Sequence, residues 1–264
     1  MDQTDCSSRV AGHAAIRRIL VRAPNWLGDA VMCEPALRGL RARFPSAAIT
    51  LLSKAPVAEL FIGYRGLDRV LVYDDKEAHA GLAGKWALAK TLRAQHFDLA
   101  ILFQNAFQAA FLVWLAGIPK RYGYATDGRT FFLTDPVAVP DRSSLTHQVA
   151  YYWNLLRPLG LTGRPPAPAL AVSADEEKAC EARLAAVGIA ASDFVIGINP
   201  GSTYGGAKRW LPERFADVAQ RLGRRIQADR GRSAALLVLG ARGEEALGRD
   251  IAARAGMKSA VWSG

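Results

Sequence analysis

A short apolar run that turns into a helix-period stretch is the feature that most limits the fold of this chain. Ile19 to Val31 reads ILVRAPNWLGDAV, turning through Ala23-Pro24-Asn25 before the helical pattern at Gly28-Asp29-Ala30-Val31. A strand, a glycine-containing turn and a helix form the unit from which open α/β sheets build ligand crevices. Those crevices lie outside the carboxyl ends of the strands, where helix N-termini present free N–H groups. Asp29 then stands at a crevice edge, with Asn25, Trp26 and Gly28 as candidates to line it. The same position suits an N-cap or first-turn acid, which gains from the positive end of a helix. Trp26 suits the core as readily as the crevice.

The alternation continues down the chain. Residues 30–44 carry Val31, Leu37, Leu40 and Phe44 at helical spacing, and Pro45 ends the run. Apolar strands follow at AITLL (48–52), RVLVY (69–73), DLAILF (98–103) and KRYGY (120–124), with helical patterns at 56–62, 82–95 and 107–115 between them. This rhythm predicts a doubly wound parallel sheet. The pattern weakens over 130–141, read as loop with short strand pieces, and 145–159 reads as helix. GRPPAP (163–168) is a linker, because three prolines and a glycine cannot continue a helix. The rhythm then restarts with a capped helix opening SADEE (173–177), FVIGIN (194–199), a helix from Pro212 to about Ile226, ALLVL (235–239) and a helix from Glu244. The expected organisation is a Rossmann-like domain over 1–162, a linker over 163–172 and a second Rossmann-like domain over 173–264. The second has room for only two or three strands, and is expected to be incomplete.

Half of the 264 residues are hydrophobic and 22% are charged, which is ordinary globular composition. The net charge of +10 favours anionic partners: phosphorylated substrates, an anionic membrane surface or nucleic acid. No nucleic-acid recognition motif is present, so nucleic acid is not expected. Arg38, Arg41, Arg43, Arg221, Arg224 and Arg225 are scattered as on solvated helix faces. Cys6, Cys33 and Cys180 form no close pair, which favours a reducing compartment. The polar N-terminus lacks the apolar core of a signal peptide, and 109–118 is too short to span a bilayer. A cytoplasmic protein is expected, with a basic surface able to rest on a membrane.

A second focus follows the 194–199 strand: NPGSTYGGAKRW, residues 199–210. Gly201, Gly205 and Gly206 allow close backbone approach, Ser202 and Thr203 offer hydroxyls, and Lys208 and Arg209 supply charge. Backbone N–H groups plus a cation suit a diphosphate, although the spacing is not that of a Walker A loop. A plain loop with a solvated Lys-Arg pair would select similar residues. LGARGEE (239–245) repeats the strand-turn-helix logic, placing Glu244 where a carboxylate could accept ribose hydroxyls or serve as a first-turn acid. Asp74-Asp75 reads as a turn rather than a metal pair, and His13, His79, His96 and His147 are isolated. No metal and no cofactor are expected.

NWLGDAV with Glu34-Pro35-Ala36-Leu37, together with NPGSTYGGAKRW-LP-ERFA, resembles the ADP-heptose:lipopolysaccharide heptosyltransferases of glycosyltransferase family 9, most of all heptosyltransferase II. The resemblance runs from Arg18 onward. It implies a GT-B fold, two Rossmann-like domains facing across a cleft. It also implies metal-independent, inverting transfer of heptose from ADP-L-glycero-β-D-manno-heptose to the lipopolysaccharide inner core. Carried onto this sequence, it makes Asp29 the general base, puts Lys208 on the donor phosphate with Ser202 and Thr203 facing the diphosphate, and puts Glu244 near the donor ribose. An aspartate of ordinary pKa, about 3.9, is a weak base, but it serves where the acceptor proton leaves late. Family members continue into a D-[ST]-G-x-x-H segment that is absent here, so impaired donor binding and transfer are expected of these 264 residues. A non-catalytic module binding a sugar nucleotide or a phosphorylated lipid is the alternative.

Overall fold

The computed structural model describes residues 16–140, 147–202 and 206–263. The chain divides into two compact units between Ala171 and Val172.

The first unit is built on six parallel strands: β1 (Arg18–Arg22), β2 (Ala48–Ser53), β3 (Arg69–Val72), β4 (Leu99–Leu102), β5 (Lys120–Tyr124) and β6 (Asp135–Val137). Their order is β3-β2-β1-β4-β5-β6, so the sheet reverses its winding between β1 and β4. Register is set by burial on both faces. Ile19 and Val21 pack on one side with Ile49, Leu51, Leu99 and Ile101, under α1 (Leu27–Arg43) and, later in the chain, α5 (Gln148–Leu155). Leu20, Leu52, Ala100 and Leu102 pack on the other, under α3 (Gly81–Arg93) and α4 (Phe107–Leu115). A one-residue slip would exchange these two sets, so the register is strongly specified. The short α2 (Ala55–Leu60) starts with Pro56 in its first turn, where a missing N–H costs no helical bond.

One element departs from the sequence reading. Of the helix expected over 145–159, residues 145–146 lie outside the described residues, and the rest is α5 followed by a separate 3-10 turn at Arg157–Leu159, because Pro158 cannot donate the next helical bond. The weak stretch after 130 holds a 3-10 turn at Arg129–Phe132 and then the short strand β6. Nor are the arginines of α1 a solvated face. Arg41 pairs with Asp68 and donates to Ala47 O at 2.7 Å, while Arg43 donates to Leu159 O at 2.9 Å. Arg221 and Arg225, by contrast, are exposed and pair with Asp217 and Asp229 one helical turn away.

Glu34 on α1 is 1% exposed and takes three donors. Its oxygens accept the Tyr64 hydroxyl at 2.6 Å, Arg38 Nη2 at 3.2 Å and the Ala169 N–H at 2.9 Å. The proline-rich segment before the second unit is thereby tied to α1, with Arg38 Nη2 also donating to Ala167 O at 2.7 Å.

The second unit holds β7 (Phe194–Ile198), β8 (Ala234–Gly240) and β9 (Ser259–Ser263), parallel and in that order. Ile196, Ile198, Leu236 and Val238 pack against α7 (Pro212–Arg230) and α8 (Glu245–Ala255). The other face carries only a small cluster of Ile189, Ala235 and Ala260. α6 (Ala174–Ala186) opens with the expected capping box: Ser173 Oγ accepts the Glu176 N–H at 3.2 Å, and Glu176 accepts the Ser173 N–H at 2.8 Å. Removing such a cap costs a helix about 1 kcal/mol. Among the described residues no helix is long and apolar enough to cross a membrane.

Candidate functional site

Open parallel sheets bind ligands at the point where the strand order reverses, outside the carboxyl ends. In the first unit that point lies between the ends of β1 and β4. The β1–α1 turn meets it from one side: the Ala23 N–H donates to Leu52 O at 3.0 Å and the Phe103 N–H to Arg22 O at 3.1 Å. α1 begins at Leu27 with Trp26 as its N-cap residue, so Asp29 lies in the first turn and is not itself the cap. Its side chain is half-buried. The Tyr152 hydroxyl from α5 lies close to Asp29 and Gln148. Burial, together with the nearby carboxylate, raises Tyr152 above the usual phenol range, so it remains a proton donor at working pH. Trp26 is 56% exposed at this edge rather than part of the core, and Gly28 beside it is exposed too.

Beneath the turn is a residue that sequence reasoning missed. Arg22 closes β1 and is 2% exposed, yet among the described residues it forms no ion pair with a carboxylate. Its guanidinium donates to Asn25 Oδ1 at 2.7 Å, Ala23 O at 2.8 Å and Leu52 O at 3.3 Å, and lies 5.0 Å from the centre of the Tyr73 ring. Burial lowers its pKa to about 10, so it is still charged at neutral pH. A polar cavity of about 80 Å³ adjoins it, lined by Asn25, Tyr73, Asp75, Gln104 and Gln108 as well. Asp75 is held by Lys54 at 2.8 Å.

A second buried arginine braces the β4 side. Arg129 is fully buried and donates to Tyr124 O at 2.9 Å, to Asn105 Oδ1 at 3.1 Å and to Gln104 O. Asn105 in turn donates to the Tyr151 hydroxyl at 2.8 Å. Nothing in the local sequence marks Arg22 or Arg129 as buried, because their partners are backbone carbonyls and amides.

In the second unit the loop after β7 and the turn after β8 meet through one carboxylate. Glu244 Oε1 accepts the Ser202 N–H at 3.1 Å and faces Arg209 Nη2 at 3.4 Å, while Oε2 accepts the Ala241 N–H at 3.0 Å. A Cβ on Gly201 would lie 2.0 Å from Glu244 Oε2, so a glycine is needed where the loop crosses the acid. Lys208 is exposed at the end of a 3-10 turn, Gly206–Lys208. Thr203 lies outside the described residues. The structure thus joins Ser202, Arg209 and Glu244, and it separately joins Asn25, Arg22 and the start of α1.

Two of the histidines serve the fold, and His13 lies outside the described residues. His147 Nδ1 caps α5 through the Val149 N–H, and His79 stacks on Tyr73 while its Nδ1 accepts the Asp74 N–H at 3.0 Å. Asp74 Oδ1 accepts the Lys76 and Glu77 N–H groups, as a turn aspartate does. Among the described residues no three His, Cys, Asp or Glu side chains converge as metal ligands.

Comparison with known proteins agrees with this layout. Lipopolysaccharide heptosyltransferase 2 of Escherichia coli is 28% identical over 213 residues, covering 78% of this chain and 60% of the relative. Lipooligosaccharide heptosyltransferase 2 of Haemophilus ducreyi is 26% identical, covering 77% and 59%. The chain therefore spans about 60% of the length of the curated relatives it matches. Among solved structures, a glycosyl transferase family 9 protein of Veillonella parvula superposes with a TM-score of 0.81 at 24% identity, covering 94% of this chain and 69% of its own. The E. coli ADP-heptose lps heptosyltransferase II structure gives 0.73 at 24% identity, covering 94% and 72%. The family model for glycosyltransferase family 9 (heptosyltransferase) matches residues 85–248, more than half of the sequence, and the chain belongs to that family.

Proposed function

We propose that this chain takes part in inverting transfer of heptose from ADP-heptose to the inner core of lipopolysaccharide, with its two units arranged as the halves of a GT-B enzyme. The observation that carries the reading is the position of Asp29: half-buried, beside the reversal point of the first sheet, and close to the Tyr152 hydroxyl. In the reaction the Asp29 carboxylate takes the proton of the acceptor hydroxyl. The hydroxyl oxygen forms the new bond to the anomeric carbon from the face opposite the donor phosphate. The bond from that carbon to the diphosphate oxygen breaks, and ADP leaves with the electron pair.

Charge on the leaving diphosphate is met by Lys208 and by N–H and hydroxyl groups of the 201–206 loop, with Ser202 and Thr203 among them. A carboxylate has about four acceptor sites. Glu244 uses three on Ser202, Arg209 and Ala241, which leaves one for a ribose hydroxyl. Asn25, Trp26 and Gly28 line the acceptor side. A lipid-anchored acceptor and the +10 charge together support work at the inner face of an anionic membrane.

The test is transfer from ADP-heptose to inner-core acceptor by Asp29→Asn. Turnover is expected to fall by about 10²–10⁴-fold, the range for loss of a general base, with ADP affinity unchanged. Unchanged turnover would eliminate Asp29 as the base. Donor and acceptor binding without transfer by the parent protein would favour a non-catalytic module that binds a sugar nucleotide or a phosphorylated lipid.

A further inference from the structure

One surface of the first unit is not used by the reaction. α4, FQAAFLVWL, contains no charged residue. Ala109, Ala110, Leu112 and Val113 face the core, which leaves Phe107, Phe111 and Trp114 on the outside. The 3-10 turn at Arg129–Phe132 extends this face. Phe132 packs edge-on against Phe107, Phe111 and Trp114 at 5.2, 5.5 and 5.3 Å between ring centres, and Phe131 packs on Phe132 at 5.4 Å. Phe131 is 81% exposed, and Phe107 and Trp114 are each 43% exposed. An outer helix face made of aromatic side chains calls for an apolar partner, and a contiguous aromatic patch marks an interaction site.

We propose that this aromatic face rests in the interfacial layer of an anionic phospholipid bilayer. The proposal deepens the reading given above of a lipid-anchored acceptor, and rests on it. Three observations choose a bilayer as the occupant. The face is made of Phe and Trp rather than branched aliphatics, and broad aromatic side chains favour the headgroup boundary. Charge is the second: the border itself is balanced, with Arg93 donating to Leu115 O at 2.6 Å at the end of α4 and Arg121 to Phe132 O at 2.6 Å, so it does not repel an anionic surface. The acids at its border are Asp127, which accepts the Phe107 N–H at 2.6 Å, and Asp135, beside Arg121. The chain as a whole carries +10, so an anionic leaflet attracts it. Third, the first turn of α4 joins the face to the site, because Gln108 lines the polar cavity next to Arg22 while Phe107 points outward. A lipid whose saccharide reaches the carboxyl edge of the sheet would have its acyl end on this side of α4.

Flotation of the 264-residue protein tests this, with vesicles of phosphatidylcholine alone and of phosphatidylcholine with phosphatidylglycerol. The parent protein is expected to float with the anionic vesicles and to be released by salt. The double variant Trp114→Ser/Phe131→Ser should lose roughly tenfold or more in partitioning, the loss expected for two inserted aromatic side chains. Ile62→Ser, at another site that is 73% exposed, should change nothing. Circular dichroism checks that each variant is folded. Failure of the parent protein to float, or equal flotation of parent and double variant, would overturn the proposal. A parent dimer that the double variant turns into a monomer, without vesicle binding, would assign the face to a second copy and also overturn it. Flotation needs neither donor nor turnover, so loss of the heptosyltransferase reading would leave its result standing. Equally, transfer to a soluble, delipidated acceptor should be indifferent to Trp114 and Phe131.

Discussion

Glu244 Oε1 accepts the backbone N–H of Ser202 at 3.1 Å, across 42 positions of sequence, and so makes the loop after β7 and the turn after β8 a single structure. Replacing Glu244 by Ala removes the acceptor shared by Ser202, Arg209 and Ala241 and leaves only the bond from Arg209 to Ser202 O at 3.2 Å. ADP affinity is expected to fall by roughly tenfold to a hundredfold, the worth of one or two hydrogen bonds to a charged group. Glu244→Gln, which keeps one oxygen, should lose less. Gly201→Ala should resemble Glu244→Ala, because its methyl group would occupy the place of the carboxylate. Isothermal titration with ADP reads all three.

Tyr152→Phe tests whether Asp29 is positioned. The ring remains in its buried place, and only the hydroxyl that stands beside Asp29 and Gln148 is lost. The expected result is a fall in kcat of about tenfold with KM little changed, the size of effect that one polar group beside a charged one can have. A change confined to thermal stability would assign Tyr152 to the fold alone.

Arg22 holds the β1–α1 turn from below, and its loss leaves Asn25 Oδ1 and the carbonyl of Ala23 without that donor. Arg22→Ala is expected to lower unfolding free energy by about 2–4 kcal/mol, from the cavity and the unpaired acceptors combined. Arg22→Lys keeps the charge but not the fork of donors, and should fall between. Urea denaturation provides the measurement.

In the second unit, Asp193 carries a pH dependence. Lys258 at 2.7 Å, the Ser233 hydroxyl and the Ala190 N–H at 2.8 Å hold its carboxyl well below the usual carboxylate range. A folded-state pKa below the unfolded value means that ionised Asp193 stabilises the fold fully above about pH 4. This contribution is lost as pH falls further, through the folded-state value. Asp193→Asn should therefore lower the urea midpoint at pH 7 and reduce its fall between pH 7 and pH 3. An acid limb identical to the parent's would show that other carboxylates govern it.

Period and punctuation made most of the architecture legible in the sequence. Both sheets, the capped helix at Ser173 and the first-turn place of Asp29 follow from apolar alternation and from the Gly, Pro and Ser residues between runs. Side chains whose role depends on a distant partner were not legible. Arg22 ends an apolar strand and nothing around it in sequence marks it as buried, yet Asn25, Tyr73 and two carbonyls surround it. Glu34 carries no local mark of burial either, since the Tyr64 hydroxyl and the Ala169 N–H come from other parts of the chain. Trp26 suited core and crevice equally in the sequence, and its 56% exposure removes the core.

The bond from Ala169 to Glu34 has a topological meaning. It fastens the proline-rich segment to α1 five residues beyond Asp29, so the helix that presents the proposed base is also the anchorage of that segment.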